Sequence, residues 1–168
     1  MNIYNKMNNN LNNTKIYENG KYIGELKNNK KEGKGIYYYN DGDRYEGEWK
    51  NDLKEGKGIY YYNNGEFKGD RYKGEWKNGI REGKGIYYWL DGDRYEGDYK
   101  NDKIEGKGIY YFKKGDRYGG DWKNDIVEGK GIFYNKNGDR EMGDYLNDKK
   151  IEKHVKLTIN GEVINLNY

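Results

Sequence analysis

A chain of 168 residues is long enough for one domain, but 33% apolar against 36% charged residues excludes a conventional buried core. Aromatic residues reach 17%, 21 of them Tyr, which argues against a wholly disordered chain. A net charge of +3 lacks the basic excess of a dedicated nucleic-acid binder, and the absence of Cys removes disulfides and thiolate metal sites and suits a reducing compartment.

Residues 1–13 are dominated by Asn and read as a flexible tail. They lack the apolar stretch of a signal peptide, and Met1-Asn2 is the wrong start for N-myristoylation. The chain has no 18-residue apolar run, so no transmembrane helix is expected. Thr14 to Glu18, followed by Asn19-Gly20, looks like the second half of a truncated repeat. Full 23-residue repeats then begin at Tyr22, Tyr45, Tyr72, Tyr95 and Tyr118, the second followed by a four-residue insertion, Glu66–Gly69. The array degrades from Glu141: Gly143, Asp144 and Tyr145 still match, but Lys153-His154-Val155 stands where the others have Gly-Lys-Gly. The apolar-alternating end, with Asn160-Gly161 as its turn, reads as a cap. The expected organisation is a tail at 1–13, a repeat array at 14–145, and a degenerate repeat with a hairpin cap at 146–168.

With the first Tyr of each repeat as position 1, positions 1–6 form a strand, positions 7–11 turn, and positions 12–18 form a second strand. An Asx-Gly-Asp-Arg turn then leads into the next repeat. No stretch has a helical apolar period, so the fold expected is all-β. Charge suggests the register within a hairpin: Gly74 opposite Gly85, Glu75 opposite Lys84, Lys77 opposite Glu82. Tyr72 then faces Tyr87 and Trp76 faces Gly83, which makes one face a strip of rings lying across bare glycine backbone.

Catalysis finds little support. His154 is the one histidine and reads as a cap residue; with no Ser and no Cys, no Ser/His/Asp triad and no thiol nucleophile exist. The carboxylates recur at equal positions in every repeat, whereas a catalytic pair is singular and differently tuned. The Asp-Gly-Asp turns lack the distal Glu of a calcium loop. The Gly-Lys-Gly pieces lack the spacing and the following helix of a phosphate loop. No enzyme activity, metal or cofactor is expected.

The unit Tyr-x-Gly-Glu/Asp-Trp/Tyr-Lys-Asn, then Gly-x-Gly-x-Tyr, resembles the MORN (membrane occupation and recognition nexus) repeat. In the second repeat it is carried by Tyr45 to Asn51 and by Gly56-Lys57-Gly58. The resemblance covers roughly Tyr22 to Tyr145. It implies an elongated, twisted, single-layer antiparallel sheet of tandem hairpins with an aromatic-lined groove. It also implies a cytoplasmic scaffold or adaptor, peripheral to membrane or cytoskeleton. One departure is Glu in place of the family's frequent His at Glu32, Glu55, Glu82, Glu105 and Glu128; another is Leu26 in place of an aromatic residue.

The residues expected to bind a protein or peptide partner are Tyr45, Trp49, Tyr72, Trp76, Tyr95, Tyr99, Tyr118 and Trp122, since Trp and Tyr dominate interaction hot spots. One alternative is peripheral binding to phosphoinositide membranes through the row Lys34, Lys57, Lys84, Lys107 and Lys130. Another is self-assembly, including a homodimer, through the terminal strands.

Overall fold

The computed structural model describes residues 13–168, so the expected Asn-rich tail lies, apart from Asn13, outside the described residues. The chain forms two compact units, the first ending at Ile80 and the second running Arg81–Tyr168. Each is a single antiparallel sheet in which strands adjacent in sequence are adjacent in space. The first holds β1 (Thr14–Tyr17), β2 (Gly20–Lys27), β3 (Lys30–Tyr39), β4 (Arg44–Lys50), β5 (Leu53–Tyr61) and β6 (Arg71–Lys77). The second holds β7 (Ile80–Tyr88) from Arg81 onward, β8 (Arg94–Lys100), β9 (Lys103–Tyr111), β10 (Arg117–Lys123), β11 (Ile126–Tyr134), β12 (Arg140–Leu146), β13 (Lys149–Leu157) and β14 (Val163–Asn167). A 3-10 turn at Gly65–Phe67 leads into the inserted segment, and among the described residues no helix is long and apolar enough to cross a membrane.

The first turn of each repeat is shorter than the expected five residues. It is a two-residue turn at positions 7 and 8, both with positive φ: 49° and 71° at Asn51-Asp52, 49° and 65° at Asn101-Asp102. Two left-handed residues make the turn whose twist matches that of the flanking strands, and Asn and Asp tolerate it better than other side chains. Asn101→Ala is expected to cost about 1 kcal/mol in urea denaturation, whereas Asn101→Gly should change stability by only a few tenths. The second connection is a type I turn closed by a left-handed glycine: Gly42 N–H donates to Tyr39 O (3.1 Å) and Tyr39 N–H to Asp43 O (3.0 Å), with Gly42 at φ 100°.

The short turn changes the register. In the hairpins lying wholly inside one unit, positions 1 and 16 pair and positions 3 and 14 pair, as expected: Tyr22 with Tyr37, Gly24 with Gly35, Tyr95 with Tyr110, Gly97 with Gly108. Position 5 then pairs with position 10, not position 12: Leu26 with Lys31, Tyr99 with Ile104, Trp122 with Val127. The second strand therefore carries two extra residues in a bulge, and an even shift leaves every side chain on its expected face. Glycine 12 supplies the positive φ, 59° at Gly56 and 75° at Gly106. The carboxylate at position 4 takes up the bulge's N–H: Glu25 accepts from Lys34 N–H (3.1 Å), Glu48 from Lys57 N–H (3.1 Å), and Asp121 from Lys130 N–H (2.9 Å).

The expected pairing of position 4 with 13 and of 5 with 12 does occur, but between repeats. Lys34 lies opposite Glu48 and Gly33 opposite Trp49; Lys107 lies opposite Asp121 and Gly106 opposite Trp122. The ion pairs thus join successive hairpins, as Lys84 with Asp98 (2.5 Å) and Lys107 with Asp121. The within-hairpin pairing of positions 6 and 11 is likewise replaced by 6 with 9, although one side-chain bridge of that kind forms, Lys123 with Glu128 (2.7 Å).

The degenerate repeat needs one correction. His154 pairs with Leu166, and Glu152 takes the left-handed position (φ 59°), so Glu152-Lys153-His154 replaces Gly-Lys-Gly. Residue 154 is position 14 and Glu141 is position 1. Tyr168 falls at position 5 of a further half-repeat begun by β14.

Candidate functional site

The tyrosine at position 1 sets the architecture of one face. Its ring lies across the facing glycines at positions 3 and 14: the Tyr95 ring fills the space above Gly97 and Gly108, the Tyr118 ring that above Gly120 and Gly131. A Cβ on those glycines would fall inside the ring's contact radius. The hydroxyl reaches the carbonyl at position 4: Tyr22 donates to Glu25 O (2.9 Å), Tyr45 to Glu48 O (3.0 Å), Tyr72 to Glu75 O (3.1 Å) and Tyr95 to Asp98 O (3.2 Å). Burial, with Glu48 and Asp98 adding to it, pushes the Tyr45 and Tyr95 phenols far up, so they remain donors. Tyr118 occupies the same seat without a hydroxyl partner among the described residues.

The ring at position 5 meets two tyrosines edge-on. Trp49 lies 5.0 Å from Tyr45 and 5.5 Å from Tyr22; Trp122 lies 5.5 Å from Tyr118 and 5.2 Å from Tyr95. Such pairs contribute about 0.5–1.5 kcal/mol each beyond burial. The indoles also donate to the glycine carbonyl of the preceding repeat, Trp49 to Gly35 O (3.1 Å) and Trp122 to Gly108 O (3.3 Å). All eight rings expected to contact a partner are therefore core: Tyr45, Tyr72 and Tyr95 are 0% exposed, and Trp122, the most open, 9%. They form the floor of the face rather than its outer surface.

Sequence reasoning missed what covers that floor. Position 18 carries a second row of rings, Tyr39, Tyr62, Trp89 and Phe112. Within the first unit, contacts run Tyr37–Tyr39 (4.6 Å), Tyr39–Tyr60 (5.8 Å), Tyr60–Tyr62 (4.6 Å) and Tyr62–Phe67 (5.9 Å). Within the second, they run Trp89–Tyr110 (5.1 Å), Tyr110–Phe112 (4.7 Å) and Phe112–Phe133 (5.8 Å). Phe67 is 52% exposed and Phe112 36%. Position 10 supplies a second cover. Lys31 Nζ lies 4.4 Å from the Tyr37 and Trp49 rings and 4.9 Å from Tyr17; Lys54 Nζ lies 4.0 Å from Trp76 and 4.8 Å from Tyr60. In the second unit position 10 is Arg81, bridged to Asp102 (3.2 Å), then Ile104 and Val127. The signal was an aromatic residue at position 18 in four repeats, and a position 10 that changes while its neighbours do not.

The periodic carboxylates hold backbone. Asp43 accepts from the Tyr60 hydroxyl (2.8 Å) and Asn63 N–H (2.8 Å) of the next repeat, as Asp93 does from Tyr110 (2.6 Å) and Lys113 N–H (2.9 Å). Asp125 accepts from Ile104 N–H (2.8 Å). The glutamates in place of the family's His do the same: Glu32 accepts from Asn51 N–H (3.0 Å) and Glu82 from Asn101 N–H (2.9 Å). No cluster of metal-ligating side chains occurs among the described residues. The five lysines are exposed on the face of their own unit opposite the rings: Lys34 and Lys57 in the first, where Ile59 and Tyr61 share that face and Arg44 stacks on Tyr61, and Lys84, Lys107 and Lys130 in the second, where Ile109 and Tyr111 share it and Arg94 stacks on Tyr111.

The profile of the MORN repeat matches residues 22–44, 45–67, 72–94, 95–117 and 118–140. No curated protein sequence matches the chain. Among solved structures, the fold is similar to that of the TCP domain of SAS-4 (dCPAP) of Drosophila melanogaster, solved in complex with a proline-rich motif of Ana2 (dSTIL). Identity is 15%, the match covers 92% of this chain and 83% of that one, and the TM-score is 0.59. The TCP10 domain of Danio rerio CPAP, solved with a peptide of STIL, matches at 11% identity over 92% of this chain and 82% of that one, with a TM-score of 0.33.

Proposed function

Because the chain belongs to the MORN repeat family, we propose that it is a non-enzymatic scaffold that binds a protein or peptide segment along its ring-bearing face. The second row of rings carries this reading. The buried first row already accounts for cohesion of the sheet, and rings left open above it, Phe112 in the second row and Phe67 in the inserted segment, are surplus to the core. The proline-rich motif held by the Drosophila TCP domain supports a peptide as occupant, since the two chains share a fold. The lysine row is a weaker membrane site. Lys84 and Lys107 are already paired with Asp98 and Asp121, and the acidic row beside them offsets attraction to anionic lipid.

Affinity capture from the native source, with the full chain as bait, tests the proposal. A partner retained by the unmodified chain and by Tyr111→Ser, on the opposite face, should be lost with Phe67→Ser or Phe112→Ser. Retention by both ring variants would remove the reading.

A further inference from the structure

The aspartate that closes a repeat finds its partner at position 16 of the next. Asp43 Oδ1 accepts from Asn63 N–H (2.8 Å) and Oδ2 from the Tyr60 hydroxyl (2.8 Å). Asp93 uses the same two atoms for Lys113 N–H (2.9 Å) and the Tyr110 hydroxyl (2.6 Å). In the degenerate repeat position 16 is Lys156, whose Nζ lies 2.9 Å from Asp139 Oδ2 while Ile159 N–H donates to Oδ1 (2.9 Å). Asp116 keeps only half of this arrangement. Lys136 N–H donates to its Oδ1 (2.8 Å), but position 16 is Phe133, and Oδ2 has no hydrogen-bond or ion-pair partner among the described residues. Lys113, Lys114 and Lys136 lie exposed in the flanking turns, and none forms an ion pair with Asp116.

The surroundings of that carboxylate are apolar. Phe112, 36% exposed, lies 5.8 Å from Phe133 and 4.7 Å from Tyr110. In the first unit a lysine at position 10 lies over the position-16 ring, Lys31 over Tyr37 (4.4 Å) and Lys54 over Tyr60 (4.8 Å). In the repeats of Tyr110 and Phe133 that position is Ile104 and Val127, which bring no cation. The strand cations on the ring-bearing face of the second unit are held by the chain's own carboxylates: Arg81 by Asp102 (3.2 Å), Lys150 by Glu141 (2.7 Å) and Lys156 by Asp139. Asp125 and Asp148 each accept one backbone N–H, from Ile104 (2.8 Å) and Val127 (2.7 Å), and form no ion pair among the described residues. Both lie close enough to the ring floor to add to the upward shift that burial gives the Tyr95 and Tyr118 phenols. Open rings beside a carboxylate without a counter-ion suit a long basic side chain, which lays an apolar stem on the rings and presents a cation at its end.

We infer that the ring-bearing face of the second unit takes a basic residue of its partner, Lys or Arg. Its stem lies on Phe112 and Phe133, and its charged head pairs with Asp116 where a phenol hydroxyl or an ammonium stands in the neighbouring repeats. The inference rests on the partner-binding reading above and names the chemistry of the occupant. The first unit offers no such seat at Asp43, which already holds the Tyr60 hydroxyl.

The test is fluorescence anisotropy of the full chain with two labelled peptides, Gly-Ser-Leu-Lys-Leu-Ser-Gly and the same peptide with Gln in place of Lys. The basic peptide should bind at least about tenfold more tightly, an advantage that shrinks as salt is raised. Phe133→Tyr leaves every charge of the protein in place and offers Asp116 the hydroxyl that Tyr110 offers Asp93. It should raise the midpoint of urea denaturation and abolish the advantage, and Asp116→Asn should abolish it as well. An advantage that survives in either variant overturns the inference, as does equal binding of the two peptides by the unmodified chain. If both peptides bind alike and both are lost with Phe112→Ser, the inference falls while the partner-binding reading stands. If neither binds, the inference falls too, and the capture experiment decides separately whether the face holds a partner.

Discussion

Gly108→Ala is expected to lower the stability of the second unit by about 3 kcal/mol, the upper range for overpacking a core. The glycine lies in mid-strand, so its backbone conformation is not the reason. The added methyl would overlap the Tyr95 hydroxyl and ring, and that ring cannot retreat. It is 0% exposed, held edge-on by Tyr99 at 5.5 Å and Trp122 at 5.2 Å, and tethered through its hydroxyl to Asp98 O. A double-mutant cycle separates this cause from a general intolerance of side chains in the strand. In a Tyr95→Ala background the space above Gly108 is open, so adding Gly108→Ala should cost little, leaving a coupling energy of at least about 2 kcal/mol. Additive losses in urea denaturation would show that the ring does not set the requirement for glycine. The same reasoning predicts a milder response at Gly119, where a Cβ would meet only Ile109 Cγ1 at 3.7 Å.

That contrast marks what was legible in the sequence. The pairing of Gly24 with Gly35 and of Tyr22 with Tyr37 could be read from period and charge because one-residue slips would scatter the rings across both faces. The bulge could not. A two-residue slip preserves faces, and choosing between the registers required knowing that Asn51-Asp52 alone makes the turn. The complementary charges at positions 4 and 13 were real but belonged to neighbouring hairpins, since an antiparallel array offers each strand two partners and charge does not say which. Burial of the rings was illegible for a related reason. Nothing in the sequence said that the ammonium ends of Lys31 and Lys54 would lie over Trp49 and Trp76 in the first unit, so that a strip of rings becomes a floor there.

The cap carries the second large effect. The repeat begun by Glu141 exchanges the ring and the bare backbone: position 1 loses its Tyr and position 14 gains His154, whose ring lies over Gly143. The exchange conserves the bonding. His154 Nε2 lies 2.9 Å from Asp144 O, so it carries the proton and donates to the same position-4 carbonyl that a Tyr hydroxyl reaches elsewhere. Tyr145 and Tyr168 flank the imidazole edge-on at 5.2 and 5.1 Å, so Tyr168 stands where the position-5 ring of a following repeat would be.

Glu141, 7% exposed, receives Lys150 Nζ at 2.7 Å and the Tyr168 hydroxyl at 3.0 Å. Nδ1 of His154 lies 3.1 Å away, close enough for an ion pair but not aligned for a hydrogen bond. Burial opposes ionisation of this carboxyl. The bonds from Lys150 and Tyr168, with the charges of Lys150 and His154, outweigh it and hold the group below the ordinary carboxylate range. Glu141→Gln should therefore cost about 3–5 kcal/mol near neutral pH, since it leaves Lys150 without its counter-ion in a half-buried site. The pH dependence has a definite sign. A carboxyl depressed in the folded state contributes stability above its unfolded value and loses it as pH falls through the folded one. The unmodified protein should thus lose stability on acidification below the ordinary glutamate range, and Glu141→Gln should lose less over the same interval. Parallel acid profiles would show that Glu141 does not carry the effect.

Restoring the repeat consensus gives a sharper comparison. Glu141→Tyr alone drives a phenol into the space of the His154 ring, and His154→Gly alone leaves a cavity over Gly143 and a buried carboxylate short of a partner. Together they rebuild the seat found at Tyr95, with the new hydroxyl directed at Asp144 O. The pair should therefore be more stable than either single variant, with coupling of opposite sign to the two separate losses.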